Sequence, residues 1–175
     1  MRTVNKFLVA GVCLIVCGGC AGGGSTSPAD TIASAANCVV AADASCQGAH
    51  FEASDFSGKD LRGIDFRQAK LKGANFSQAN LTQANFYGAD VSGAIFEGAI
   101  LVRTTFNGAN MAGANVQNTR LSGASLKNAN LLDARFDGTF ATDANFSGAT
   151  GNDELTGVFL CKTTKPNGEM SGGSC

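Results

Sequence analysis

Few side chains in this sequence change protonation near neutral pH, where proton transfer and thiolate chemistry are easiest. Those whose own titration lies closest to neutral are seven cysteines and one histidine, His50. One histidine supports neither a histidine relay nor a multi-histidine metal site. Cys13, Cys17 and Cys20 crowd the first twenty residues, whereas Cys38, Cys46, Cys161 and Cys175 stand apart. Their spacings, 8 and 14, are not those of zinc ligands. No metal and no cofactor are expected. Four cysteines in an exported chain suggest two disulfides, with three possible connectivities. More than a hundred cysteine-free residues separate the pairs, which favours local closure, Cys38–Cys46 and Cys161–Cys175.

The first cysteines belong to an address. Arg2 and Lys6 precede an apolar run from Phe7 to Val16, interrupted only by Gly11. That run has the length of a signal-peptide core and is too short to span a bilayer. Gly18, Gly19 and Cys20 then resemble the lipobox of bacterial lipoproteins, although Cys17 stands where that pattern has an aliphatic residue. The resemblance implies removal of residues 1–19 and lipidation of Cys20. Ala21 in place of Asp implies the outer membrane, on its periplasmic side or surface. Cleavage after Ala21 to a soluble periplasmic or secreted form is the alternative. Residues 20–37 read as the lipidated cysteine and a Gly- and Ser-rich tether spanning roughly 20–25 Å.

From Phe51 to Phe146 a residue of apolar type recurs at every fifth position, twenty times in succession, with Ala141 the one small member. Two residues before each centre stands Ala in fourteen cases; just before it stands Asn or Asp in eleven; two after it stands Gly in eleven. No helix has a period of five, so the pattern is a repeat architecture. In an extended segment, positions two apart share a side, so centre and Ala face inward together. The positions flanking the centre face outward, and Gly permits a corner with positive φ. Sorted by twenty, one column reads Phe56, Phe76, Phe96, Val116, Phe136 and another Leu61, Leu81, Leu101, Leu121, Ala141. Like residues stack if one coil takes 20 residues and four sides.

Tandem copies such as AKLKGANFSQANLTQANFYGAD resemble the pentapeptide-repeat family. The resemblance implies an all-β fold, a right-handed quadrilateral β-helix of about five 20-residue coils over residues 49–150. Its open ends need covers. Residues 38–48 form an N-terminal cap clipped by Cys38–Cys46. Residues 151–175 form a C-terminal cap in which Val158, Phe159 and Leu160 pack on Phe146 and its neighbours. Pro166, Asn167 and Gly168 turn a hairpin there, inside a Cys161-to-Cys175 segment similar to the tails of some exported family members.

Function is less legible. Asp55, Asp60 and Asp65 fall on successive sides of the coil, which separates their carboxylates, and His50 sits outward in the first repeat. Neither supports an enzyme, and none is expected. Family members that mimic DNA protect type II topoisomerases, but residues 49–148 hold nine acidic and nine basic side chains, far from the charge of a duplex. Nucleic acid is therefore not expected as a partner. Lys59, Arg62, Arg67, Lys70 and Lys72 make one coil basic, tempered by Asp60 and Asp65. Apolar residues at outward positions depart from the pattern: Ile95, Ile100, Val102 and Phe140. Ile100, Arg120 and Phe140 share one outward column, a possible partner contact. Phe140 has an alternative, turning inward to fill the space Ala141 leaves. The reading is a monomeric, membrane-tethered lipoprotein acting as a structural or protein-binding scaffold, with an unidentified envelope protein as partner; topoisomerase protection is the alternative.

Overall fold

The computed structural model describes residues 38–152 and 155–172. Parallel bridges join each outward residue to the one 20 positions on, in four columns. One runs Ser45, Asp65, Asn85, Thr105, Ser125, Asn145; another runs Asp60, Asn80, Ile100, Arg120, Phe140. One coil is thus 20 residues and four sides. Each side offers only two or three extended residues before a corner, so most pairing stays as single bridges. Regular strand among the described residues is confined to β1 (Thr139–Thr142) and β2 (Val158–Cys161), paired in parallel.

The corners follow from local chemistry. The centre's carbonyl accepts from the N–H three residues on, as in Ala69 N–H to Phe66 O at 3.1 Å. The third residue of each of these turns has positive φ at all twenty positions. Eleven of those residues are Gly, and nine, including Gln78, Arg103 and Asn118, are not. Left-handed geometry is thus imposed by the coil even where the residue does not favour it.

Every one of the twenty centres is buried, and so is every residue two before a centre except Ser54 and Lys59. Phe56, Phe76 and Phe96 stack along the axis with ring centres 4.9 and 5.0 Å apart. Phe66, Phe86 and Phe106 stack beside them, and the two columns meet edge to face, as in Phe76 on Phe86 at 5.7 Å. The aromatic columns break at Val116 and Leu126. Around that break Thr replaces Ala inside. Thr139 Oγ1 donates to Val116 O at 2.6 Å and Thr119 Oγ1 to the same oxygen at 2.9 Å. Thr104 Oγ1 likewise donates to Leu81 O. Each buried hydroxyl is satisfied, as burial requires.

The beat begins upstream of Phe51. Cys46 is buried at a centre position, its N–H bonds Asp65 O, and Asp43 and Gly48 supply the positive-φ corners. Residues from Asp43 onward are therefore part of the coil as well as its cover. Cys38 and Cys46 form a disulfide across this first coil, Cα atoms 5.0 Å apart.

At the other end the period shortens. β2 pairs Phe159 with Phe140 and Leu160 with Ala141, an offset of 19. Gly151 stands where the next centre falls and is exposed; Leu155, one residue ahead of the centre position after it, is buried. Residues 163–171 then form a hairpin: Lys165 N–H to Glu169 O, Gly168 N–H to Lys165 O, and an antiparallel bridge from Thr164 to Met170. The turn at Pro166, Asn167 and Gly168 is where the sequence places it. Val158 and Leu160 pack on the core as expected. Phe159 does not: it is 60% exposed, because its register partner Phe140 also points outward.

Candidate functional site

The described residues offer no grouping of three His, Cys, Asp or Glu side chains around a common point. His50 lies with Nδ1 3.6 Å from a Glu52 carboxylate oxygen, both about half exposed. The three early aspartates are each held by their own neighbour. Arg62 donates to both Asp60 oxygens at 2.8 and 2.7 Å, and Arg67 does the same to Asp65 at 2.9 and 2.7 Å. Asp55 accepts from Ser57 N–H at 2.9 Å. The Arg67 guanidinium first, then the Arg67 amide, hold Asp65 below the usual carboxylate range. Arg62 does the same for Asp60, and the Ser57 backbone N–H for Asp55. A general acid needs the opposite shift. These carboxylates are structural.

The preference for Asn or Asp before each centre has one cause. In a pentapeptide with a coil on either side, four backbone N–H groups generally enter ladder or corner bonds, and the N–H just after the centre is left over. All eleven Asn and Asp residues before a centre accept from that leftover N–H, from Asp55 to Ser57 through Asn145 to Ser147. The sequence shows the preference and not its cause, since the shortage of partners exists only once the ladder is formed. Side chains on successive coils also bond, as in Asn130 Nδ2 to Asn110 Oδ1 and Asn110 Nδ2 to Asp90 Oδ1.

Nine of the twenty positions before a centre hold neither Asn nor Asp, and three of them follow one another on one side of the coil near its C-terminal end. Ile100, Arg120 and Phe140 follow one another in a single bridge column. Phe140 points outward at 53% exposure, so it does not fill the space beside Ala141, which is itself fully buried. Phe159 continues the column, its ring 4.9 Å from that of Phe140 and nearly parallel at 16°. Sorting by twenty misses Phe159 because the last coil is one residue short; an offset of 19 exposes it. Val102 lies two residues beyond Ile100 on the same side, and both are half-buried. Ile95 belongs to a different column, between Asn75 and Asn115, and is exposed. It is not part of the strip. Cys20, and the Cys175 of the Cys161–Cys175 pairing, lie outside the described residues.

Models of pentapeptide repeats match residues 44–83, 60–98, 96–128 and 117–150, well over half of the chain. No curated protein is similar to the chain. Among solved structures it is similar to Rfr23, a pentapeptide repeat protein from the cyanobacterium Cyanothece 51142: 24% identity, 54% of this chain and 62% of that one, TM-score 0.42. It is also similar to a pentapeptide repeat protein from the thylakoid lumen of Arabidopsis thaliana, at 27% identity, 61% and 67% coverage, and TM-score 0.40. A third is QnrB1, a plasmid-mediated fluoroquinolone resistance protein, at 25% identity, 62% and 65% coverage, and TM-score 0.43. The chain spans less than two thirds of the length of Rfr23 and of QnrB1.

Proposed function

The chain belongs to the pentapeptide-repeat family, and from that premise we propose that it is a non-enzymatic binding scaffold held on the bacterial cell envelope by a lipid on Cys20. The finer architecture belongs to the same reading: a right-handed coil of about five turns, clipped at both ends by disulfides. Right-handed crossover is the rule for parallel strands. Three acyl chains at ~0.8 kcal/mol per buried CH₂ hold such a protein firmly on a membrane.

The observation that carries the scaffold reading is the pair of exposed, mutually stacked rings of Phe140 and Phe159 beside Arg120. Stacking on each other still leaves both rings more than half exposed, whereas aromatic and Arg side chains that become buried dominate binding at interfaces.

Two measurements test it. Intact mass of the N-terminal peptide from native membranes is expected to show cleavage before Cys20 with acyl chains added; an unmodified chain retaining Met1 overturns the envelope assignment. A photo-crosslinking residue at position 140 is expected to give an adduct in cells, and one at position 127, on the neighbouring side, to give none. Equal labelling at the two sites, or none at 140, overturns the scaffold reading. Topoisomerase protection, the alternative that the family raises, is disfavoured by the balanced charge of residues 49–148. Dose-dependent inhibition of gyrase supercoiling by the purified chain would reinstate it.

A further inference from the structure

We infer that the Ile100–Arg120–Phe140–Phe159 strip is a docking surface for an extended, acidic segment of a partner protein, one that alternates carboxylates with apolar side chains. The inference rests on the scaffold reading above and adds the chemistry of the partner.

Charge supplies the first reason. The outward positions of this side, from Ile100 to Lys162, carry Arg103, Arg120 and Lys162 against Asp143 alone. The strip is cationic on a chain whose formal charge is −1. All four charged groups are exposed. Among the described residues, neither arginine nor Lys162 forms an ion pair or donates a side-chain hydrogen bond, in contrast to Arg62 and Arg67, each gripped by the aspartate two residues before it. The contrast has a positional cause. Arg62 and Arg67 follow their centres and meet an aspartate that precedes it. Arg120 itself precedes its centre, and the residue across from it is Ser122. The stem of Arg103 lies over Gly123 of the next coil, close to where a Cβ there would sit, so the residue reaches along the strip.

Apolar placement supplies the second. Tyr87, Ile95 and Leu132 are also exposed but stand on other sides of the coil; Phe140 and Phe159 touch each other. Aromatic carbon flanked by unpaired guanidinium is the composition of an interface core. Size sets the occupant. Three coil spacings make the strip about 14 Å long, which an extended segment covers with about four or five residues. A second copy of this chain fits worse, because facing strips would oppose cation to cation.

The test uses the full chain in detergent micelles and two synthetic heptapeptides, Asp-Phe-Glu-Val-Asp-Phe-Glu and the same peptide with Lys at every acidic position, read by fluorescence anisotropy. The acidic peptide is expected to bind, and the lysine peptide to bind at least about tenfold more weakly. Arg120→Glu is expected to weaken the acidic peptide by about tenfold, with added salt weakening it further. Lys127→Glu, on the neighbouring side, is expected to leave binding unchanged. Phe140→Ser is a second probe, with a thermal melt to show that the coil remains folded. No binding of the acidic peptide, equal binding of both peptides, or indifference to Arg120→Glu overturns the inference. So does self-association in sedimentation that Phe140→Ser abolishes, which would make the strip an interface between copies. Crosslinking from position 140 in cells with no preference for the acidic peptide leaves the scaffold reading standing and removes only this partner chemistry.

Discussion

An amide just after each core residue has no ladder partner in this coil; an Asn or Asp just before the core position satisfies it where one is present, and Asn107 on the coil beneath does so for Lys127. Asn75 accepts from both Ser77 N–H and Ser77 Oγ, and donates to Asp55 on the coil before. Asn75→Ala removes all three bonds. The expected loss is about 1–2 kcal/mol, at roughly 0.5–1.5 kcal/mol per net hydrogen bond discounted for partial exposure, read by urea denaturation. Ile95→Asn works in the other direction. It supplies the missing acceptor to Glu97 N–H and removes an exposed apolar group, so a gain of about 0.5–1 kcal/mol is expected. Unchanged stability in Ile95→Asn would show that water satisfies that amide equally well. The aspartates of the same motif add a pH dependence. Asp55, Asp60 and Asp65 all titrate below their ordinary value in the folded chain. Their contribution is therefore complete above the unfolded carboxylate range, about pH 4, and is lost as pH falls through the lower folded values. The denaturation midpoint is expected to fall as pH drops below about 4, with a shallower fall in Asp65→Asn. The sequence makes the eleven Asn and Asp residues visible but reads them only as outward polar groups; their task appears when the ladder spends the other amides.

At the scale of a corner or a column, position matters more than residue type. Gly108 and Gly151 both have positive φ, but their surroundings differ. A Cβ on Gly108 meets nothing within 4 Å, while one on Gly151 lies 2.5 Å from Leu132 N and 2.6 Å from its Cα. Gly108→Ala is expected to cost about 1 kcal/mol from left-handed geometry alone. Gly151→Ala is expected to cost clearly more, because backbone must move; equal thermal shifts in the two variants would contradict this. In the core, Phe96 stacks on Phe76 and meets Phe86 and Phe106 edge to face. Phe96→Ala is expected to lose about 3–5 kcal/mol, the usual cost of a cavity of that size. The period of five and the sorting by twenty are enough to disclose these columns. They do not disclose the shortened last coil, since Phe159 is displaced by one residue from the column it joins and Leu155 is displaced likewise from the core position it fills.

Over the described residues the molecule is close to one-dimensional, with each coil bonded to its neighbours along the axis. Its ends are the weak points. Cys38 and Cys46 close a short loop over the first coil. Cys38→Ser is expected to lower stability by about 2–3 kcal/mol in the loop-entropy model, checked by denaturation of variant and parent under oxidising conditions. Loss of far less would mean that backbone bonds such as Cys46 N–H to Asp65 O already hold that coil. By itself the sequence determined the coil: a strict five-residue period fixes which side chains face inward, and a 20-residue column period fixes how many sides close a turn. Both are local regularities, repeated often enough to be counted. The tertiary structure alone decided the candidate site. Whether Phe140 turns in or out and whether Phe159 meets it depend on register between coils. Register at the last coil is set where the period fails, at Gly151 and Leu155, because there the space left by the coil beneath selects the residue that fills it.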